Sequence, residues 1–306
     1  MTELDYIAWI RQQTCLGDHV LLGPGDDCAA LTWPSGQPVL ITTDMLLEGS
    51  CFRLAEAGPY RVGRKAMAVN LSDVAAMAGR PIAAVVSVGL PRGLEATAAQ
   101  QLYRGLRDLA DAFSTALVGG DTNSWTGGLV ISVTLLGEPT GRGPVTRRGA
   151  EPGDWLFVTG PLGGSIAGRH LDFTPRIFEA QRLHQLVHLK AMIDLSDGLA
   201  ADLRHLCAES GCGARLLAGQ IPLTAAAQTA TDGQTPLDHA LGDGEDFELL
   251  FAVSPADGAM LLAQQPLRPL GCELSHVGVC LPQGLELQHP EGQLVPLPET
   301  GYVHRW

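Results

Sequence analysis

The chain has 306 residues, a length that favours two domains, and its 45% hydrophobic and 17% charged residues exclude a disordered chain. Its formal net charge of −13 disfavours nucleic acid as a partner, because affinity for a phosphate backbone comes from excess lysine and arginine. For a polyanionic ligand, a divalent cation such as Mg²⁺ must lie between the ligand phosphates and the protein carboxylates.

The first residues and the cysteines indicate the cellular compartment in which the protein works. Residues 1–6 are acidic and lack the basic segment of a secretory signal, and no uninterrupted apolar run approaches membrane-spanning length. Seven cysteines, an odd number with no C-x-x-C pair, argue against a disulfide framework or a thiolate zinc site. We therefore expect a cytoplasmic protein that has no membrane partner.

Short apolar runs rich in β-branched residues alternate with helical patterns. Leu102, Leu106, Leu109 and Phe113 share one face of a helix predicted over residues 97–113, and a second helix is predicted over 198–210. This mixture indicates an α+β or α/β fold. The strands are predicted at 39–41, 84–88, 129–133, 155–158, 248–251 and 277–279.

A concentration of turn residues over 141–154 lies between one predicted strand and the next. We place a domain boundary there, which gives domains 1–145 and 146–306. Each half contains a similar four-residue segment, a candidate internal repeat. Asn70-Leu71-Ser72-Asp73 is predicted to begin one helix and Asp194-Leu195-Ser196-Asp197 to begin another.

Aspartates recur beside glycine turns and at strand ends. Asp26 and Asp27 follow Gly23-Pro24-Gly25, Asp44 follows an apolar strand, and Asp121 follows Gly119-Gly120. Any single one has an ordinary explanation, because aspartate is favoured at caps and turns. As a set, carboxylates that project from strand ends and helix starts can converge on one cleft and bind Mg²⁺, with Thr42 and Thr43 as further oxygen ligands.

Other motifs are absent or weak. The Walker pattern is missing, since neither lysine, Lys65 or Lys190, follows the required glycine, and there is no zinc spacing or nucleophile elbow. The glycine turn at 160–165 can bring backbone N–H groups near phosphates, although alone it is not specific. Arg147 and Arg148 fit either a phosphate contact or a solvated surface turn, and the residues alone favour the surface.

The ordered set of motifs resembles the family of thiamine-monophosphate kinases, from the superfamily of aminoimidazole ribonucleotide synthetase and selenophosphate synthetase. The resemblance covers nearly the whole chain, with its blocks in order. These blocks are Gly25-Asp26-Asp27-Cys28-Ala29, Thr42-Thr43-Asp44, residues 65–77, Val118-Gly119-Gly120-Asp121-Thr122, Thr146-Arg147-Arg148-Gly149, Val158-Thr159-Gly160-Pro161-Leu162-Gly163, Asp194-Leu195-Ser196-Asp197-Gly198 and Gly244-Glu245-Asp246-Phe247.

The resemblance implies a two-domain architecture like that of aminoimidazole ribonucleotide synthetase. An N-terminal α+β domain would form a homodimer through its strands, and a C-terminal α/β domain would complete a site for ATP near the dimer partner. The implied Mg²⁺ ligands are Asp27, Thr42, Thr43, Asp44, Asp73, Asp121, Asp194 and Asp197. The implied ATP contacts are Tyr103, Gly120, Asp121, Arg147 and Ser196, and the implied substrate contacts are Cys51, Glu245 and Tyr302.

The implied reaction is transfer of a phosphoryl group from ATP to thiamine monophosphate by direct in-line attack. The acceptor phosphate is already ionised near neutral pH, so no covalent intermediate or strong general base is required. Two departures concern the acceptor side. The family block that usually ends in His-Phe has Cys51-Phe52 here, and the usual Gly-Tyr-x-His-Phe is Gly301-Tyr302-Val303-His304-Arg305-Trp306.

Two alternatives remain open. One is a related ATP-dependent enzyme that acts on another small phosphorylated acceptor. The other is an ATP-binding relative that has lost catalysis, against which the retention of so many converging carboxylates argues.

Overall fold

A computed structural model describes residues 20–22, 26–32 and 38–303. The acidic start at 1–6, Cys15, the Gly23-Pro24-Gly25 turn and the final His304-Arg305-Trp306 lie outside the described residues.

The first half forms a six-stranded sheet with the order β1-β2-β3-β6-β4-β5. Neighbouring strands are antiparallel except β4 and β5, which are parallel. Along β3 and β6 buried and more exposed positions alternate, as expected of strands with one covered face. The strands are β1 (Val20–Leu22), β2 (Ala29–Thr32), β3 (Pro38–Leu47), β4 (Gly79–Pro91), β5 (Ala116–Trp125) and β6 (Val130–Pro139).

In the part of this half that the structure describes, three helices accompany the sheet: α1 (Leu54–Ala57), α2 (Pro59–Ala76) and α3 (Ala96–Ala112). Helix α2 is buried over most of its surface, and two glycines allow α3 to approach it closely. A Cβ at Gly63 would lie 2.1 Å from the Leu102 carbonyl oxygen, and one at Gly105 would lie 1.9 Å from that of Tyr60. Larger residues at these two positions would force the helices apart.

The second half forms a seven-stranded sheet with the order β13-β12-β9-β11-β7-β10-β8, in which only β9 and β12 are parallel neighbours among the described strands. Its strands are β7 (Trp155–Thr159), β8 (Ala191–Asp194), β9 (Gly213–Leu217), β10 (Leu249–Val253), β11 (Leu274–Leu281), β12 (Leu285–Gln288) and β13 (Leu294–Pro296). Its helices are α4 (Arg169–Asp172), α5 (Ile177–Leu186), α6 (Leu199–Ser210), α7 (Ala225–Thr229), α8 (Pro236–Gly242) and α9 (Pro255–Gln264).

The described residues form two hydrophobic cores. One lies within the second half and includes Leu203 and Leu250. The other joins the halves, because Leu171 and Ile177 belong to the same buried cluster as Met67 of α2. The two sheets are thus held together by apolar packing as well as by the polar contacts described below.

The predicted mixture of strands and helices is confirmed, but the predicted start of a helix at Asn70-Leu71-Ser72-Asp73 is wrong. Helix α2 begins at Pro59, a residue whose fixed φ suits the first helical turn, and Asp73 lies near the end of α2. The corresponding Asp194-Leu195-Ser196-Asp197 runs from the end of β8 towards α6, so the two similar segments are not a structural repeat. Among the described residues, no helix is long and apolar enough to cross a membrane.

Candidate active site

A cleft of about 490 Å³ lies between the two halves, and most of the predicted site residues line it. The N-terminal half contributes β3, the turn after it and helix α2. The C-terminal half contributes the segment after β8, the turn before β10 and the segment around Tyr302. The predicted residues in its lining are Asp44, Cys51, Asp73, Asp194, Ser196, Asp197, Glu245 and Tyr302.

Three carboxylates from separate elements meet at the cleft. Asp27 precedes β2, Asp73 lies near the end of α2, and Asp194 ends β8. One oxygen from each lies within 4.8 Å of the others. These three residues are hereafter the carboxylate cluster, and hard oxygen donors at this separation suit Mg²⁺.

Neutral donors orient the carboxylates. Thr42 Oγ1 donates to Asp73 Oδ2 at 2.5 Å, and Ser72 Oγ donates to Asp194 Oδ2 at 2.6 Å across the two halves. The backbone N–H of Asp44 donates to Asn70 Oδ1 at 3.1 Å, which ties β3 to α2. The site is therefore built by long-range contacts between its elements.

The electrostatics of the cleft disfavour a full set of negative charges. Burial raises the pKa of Asp44 to about 6. Burial, followed by the charge of Asp44, raises the pKa of Asp73 well above its ordinary value. Burial and the charge of Asp27 do the same for Asp194. A bound cation would relieve this repulsion.

Arg147 is not the solvated surface residue that the sequence alone favoured. Its guanidinium donates from Nε and Nη2 to the two oxygens of Asp27, each at 3.0 Å, and its backbone N–H donates to Asp26 Oδ1 at 2.5 Å. Arg147 thereby joins the segment between the sheets to the carboxylate cluster. A guanidinium at this place can also meet a phosphate.

The turn that carries Ser196 and Asp197 has its own support. The Asp202 carboxylate, in the first turn of α6, accepts the backbone N–H groups of Asp197 and Gly198, each at 3.1 Å. Gly198 has a φ of 109°, and a Cβ there would lie 2.9 Å from the Leu241 carbonyl oxygen. This glycine is required where the chain turns from β8 into α6.

Four predicted residues lie neither in the lining of the cleft nor in contact with the carboxylate cluster. The Thr43 hydroxyl donates to the Val133 carbonyl at 2.9 Å. Thr43 lies on the exposed face of β3, opposite the buried face that carries Thr42. Tyr103, Gly120 and Asp121 line a second cavity of about 320 Å³ between β4, β5 and α3.

Sheet register shows how far Asp121 lies from the cluster. Asp121 pairs with Ser87, Ser87 with Ser132, and Ser132 with Met45, the residue after Asp44. Three strand spacings separate Asp121 from β3, a distance of about 14 Å. Within one chain, Asp121 and Asp44 cannot ligate the same ion.

The acceptor-side prediction brings together three segments, and a residue without a predicted role joins them. Ser50 and Tyr302 approach each other at 3.4 Å between hydroxyl oxygens, and Tyr302 N–H donates to the Asp197 carbonyl at 3.0 Å. Lys65, from α2, contacts both the Cys51 carbonyl and the Glu245 carboxylate. Lys65 is one of only two lysines in this acidic chain, and that rarity was the signal by which the sequence could have indicated its importance.

Comparisons with known proteins first define the class. The family model for the AIR synthase related protein N-terminal domain matches residues 25–138, and that for the C-terminal domain matches residues 151–270. The chain belongs to this family of two-domain proteins, which confirms the predicted architecture.

The particular family follows from the relatives. A thiamine-monophosphate kinase of Rhodopirellula baltica is 42% identical over 268 residues, which cover 85% of this chain and 84% of the relative. The thiamine-monophosphate kinase of Escherichia coli strain K12 is 37% identical, covering 93% of this chain and 92% of the relative. The chain belongs to the thiamine-monophosphate kinases, and the family predicted from the motifs is confirmed.

A solved structure supports the same assignment. AaThiL complexed with AMPPCP and TMP has a TM-score of 0.83 and 30% identity, covering 99% of this chain and 97% of that one. A crystal structure of thiamine monophosphate kinase from Aquifex aeolicus has a TM-score of 0.77 and 29% identity, covering 95% and 97%.

Proposed function

We propose that this protein phosphorylates thiamine monophosphate with ATP to give thiamine diphosphate, by direct in-line transfer. The observation that carries the proposal is the convergence of Asp44, Asp73 and Asp194, from two halves of the chain, on a cleft that also holds the predicted acceptor residues. A thiamine-monophosphate kinase relative with 42% identity, and a similar fold complexed with AMPPCP and TMP, support the same chemistry.

The donor set of the cleft fits Mg²⁺. The carboxylate cluster and the nearby Asp44 and Asp197 would hold the ions, and Thr42 would orient Asp73. Bound Mg²⁺ supplies positive charge that neutralises the phosphates. Arg147 and Ser196 would bind ATP, and positioning accounts for the remaining acceleration because the attacking phosphate oxygen is already ionised.

A homodimer gives the separated residues a role. Strand β5 is an edge strand of ten residues, exposed along most of its length, and such an edge can pair with another chain. On our proposal a second copy packs along the N-terminal sheet, so that Asp121, Gly120 and Tyr103 of one copy approach ATP held by the other. We also propose that the two sheets correspond to domains 1–145 and 146–306 of a cytoplasmic enzyme.

The test is a product assay for thiamine diphosphate with ATP, Mg²⁺ and thiamine monophosphate. We expect turnover that EDTA abolishes and that Asp44→Ala removes. Product from a different phosphorylated acceptor alone would support the related-enzyme alternative. Binding of ATP without product from any acceptor would support the non-catalytic one.

The dimer proposal has a separate test. Asp44→Ala and Asp121→Ala are each expected to be inactive, and their mixture is expected to regain activity because a heterodimer contains one site with neither substitution. A mixture that exchanges subunits but stays inactive would show that the two residues do not act across subunits.

A further inference from the structure

Lys65 is a buried cation at the edge of an acidic cleft. Its side chain is 1% exposed, although it lies in the middle of α2 among apolar neighbours such as Ala66 and Met67. Arg53 also lines the cleft, but its side chain is 74% exposed. A buried ammonium is stable only where partners replace its hydration.

The polar contacts of the ammonium are with protein oxygens. Lys65 Nζ donates to the Cys51 carbonyl at 2.7 Å and to the Glu245 carboxylate oxygens at 2.7 and 2.6 Å. Because the Lys65 side chain is 1% exposed and protein oxygens surround its ammonium, Lys65 does not present a free cation to a substrate phosphate. Each Glu245 oxygen, in contrast, keeps a lone pair that can accept a donor from a ligand.

The backbone around Glu245 requires support of this kind. Glu245 and Phe247 have φ values of 55° and 48°, in a region that side-chain-bearing residues seldom occupy. The N–H of Glu245 donates to the Ser196 carbonyl at 2.6 Å, so this turn is also fastened to the segment that leads to Asp197. Displacement of Glu245 would therefore also displace the segment around Ser196 and Asp197, where the ATP phosphates and Mg²⁺ are expected to bind.

From these contacts we infer that Lys65 is a positioning residue for the acceptor: it fixes the Glu245 carboxylate and the Cys51 turn in the geometry that binds the acceptor, without touching it. The inference rests on the proposed function. Lys65 comes from the N-terminal half and Glu245 from the C-terminal half, so the same ion pair also sets the width of the cleft at this point.

The main test is Lys65→Met, which keeps the length of the side chain and removes its charge. We expect kcat/KM for thiamine monophosphate to fall about 100-fold, mostly through KM, because a displacement of about 1 Å can cost that factor. The dissociation constant for ATP should stay within about threefold. A role limited to joining the halves would weaken ATP binding equally, and that result would overturn the inference.

Two matched controls separate charge loss from domain joining. Lys190→Met removes the other lysine, which contacts Glu151 and Asp154 at 2.5 and 2.8 Å away from the cleft. Arg61→Gln removes another contact between the halves from α2, the Arg61 Nε to Asp172 Oδ1 bond at 3.0 Å. Both controls should keep the kcat/KM for thiamine monophosphate within about threefold of wild type.

A double-mutant comparison tests whether Lys65 acts through Glu245. Lys65→Met combined with Glu245→Leu leaves no unpaired buried charge, so this protein should fold even if Lys65→Met alone does not. Its acceptor kcat/KM should lie within about threefold of that of Glu245→Leu alone, since only the Cys51 turn is left for Lys65 to position. A further loss as large as that caused by Lys65→Met in the wild type would mean that Lys65 acts independently of Glu245 and would overturn the positioning role. Wild type without turnover would refute the proposed function as well; active wild type with an unaffected Lys65→Met would refute only this inference.

Discussion

Asp73→Asn is expected to change the stability of the protein in opposite directions with and without Mg²⁺. An Asp73 oxygen lies within 4.8 Å of oxygens of Asp27 and Asp194, and at an effective dielectric constant of about 20 each such pair of charges repels by about 3.5 kcal/mol. The raised pKa of Asp73 means that proton uptake already avoids part of this cost. We therefore expect a net gain of about 1 to 2 kcal/mol in unfolding free energy for the metal-free variant.

With Mg²⁺ bound, the wild type should be more stable than the Asp73→Asn protein. At a concentration of 100 times its dissociation constant, an ion that binds only the folded state stabilises it by about 2.7 kcal/mol. The wild type should gain this amount, and the variant, which lacks a charged ligand, should gain little. The asparagine oxygen can still accept from the Thr42 hydroxyl, so loss of that hydrogen bond should not obscure the comparison.

The assay is thermal unfolding of both proteins in EDTA and in excess Mg²⁺. Asp111→Asn is the matched control, because Asp111 is an exposed residue of α3 whose nearest cation, Arg107, lies at 3.8 Å. The control should change stability by less than about 0.5 kcal/mol in either buffer. A metal-free Asp73→Asn protein less stable than wild type, or equal stabilisation of both by Mg²⁺, would refute the reasoning about the carboxylate cluster.

Three further predictions concern pH, the acceptor and packing. Hydrogen bonding to Asp243 raises the pKa of His239, so the contribution of His239 to stability is present at low pH and is lost as the pH rises through its folded-state pKa. Urea unfolding should therefore show that the wild type loses stability from about pH 6 to 8. A His239→Gln protein whose stability falls with the same slope would contradict this. Cys51→His replaces a weak donor with a stronger one and should raise the kcat/KM for thiamine monophosphate about tenfold, whereas an unchanged value would exclude a polar contact there. Gly105→Ala should destabilise the protein by about 3 kcal/mol or more, since its Cβ would lie 1.9 Å from the Tyr60 carbonyl oxygen, while the exposed Gln101→Ala should be nearly neutral in chemical unfolding.

The sequence was informative where a local pattern around a single residue carries the signal. Apolar runs located the principal strands, and aspartates beside them pointed to a cluster that does contain Asp73 and Asp194. The error at Asp73 has a physical cause: aspartate favours helix starts, but Pro59 begins α2 well before it. Local propensity cannot place a residue within a helix whose extent is set by tertiary packing.

Contacts between distant segments were harder to predict. The position of Lys65 against Glu245 joins residues 180 apart, and neither position has a periodicity that indicates the other. The separation of Asp121 from Asp44 depends on the order of strands in the sheet, which places β6 and β4 between β3 and β5. No spacing along the chain encodes that order.

The polar contacts between the halves explain how so acidic a cleft can form at all. Ser72 donates to Asp194, and Lys65 pairs with Glu245, so the N-terminal half supplies partners for two acidic groups of the C-terminal half. Arg147 pairs with Asp27 at the same junction. Separating the halves would strand buried polar groups, which costs more than the same contacts contribute when made. Any cation that binds Asp73 and Asp194 together bridges the halves, so binding of metal and docking of the two sheets must stabilise each other.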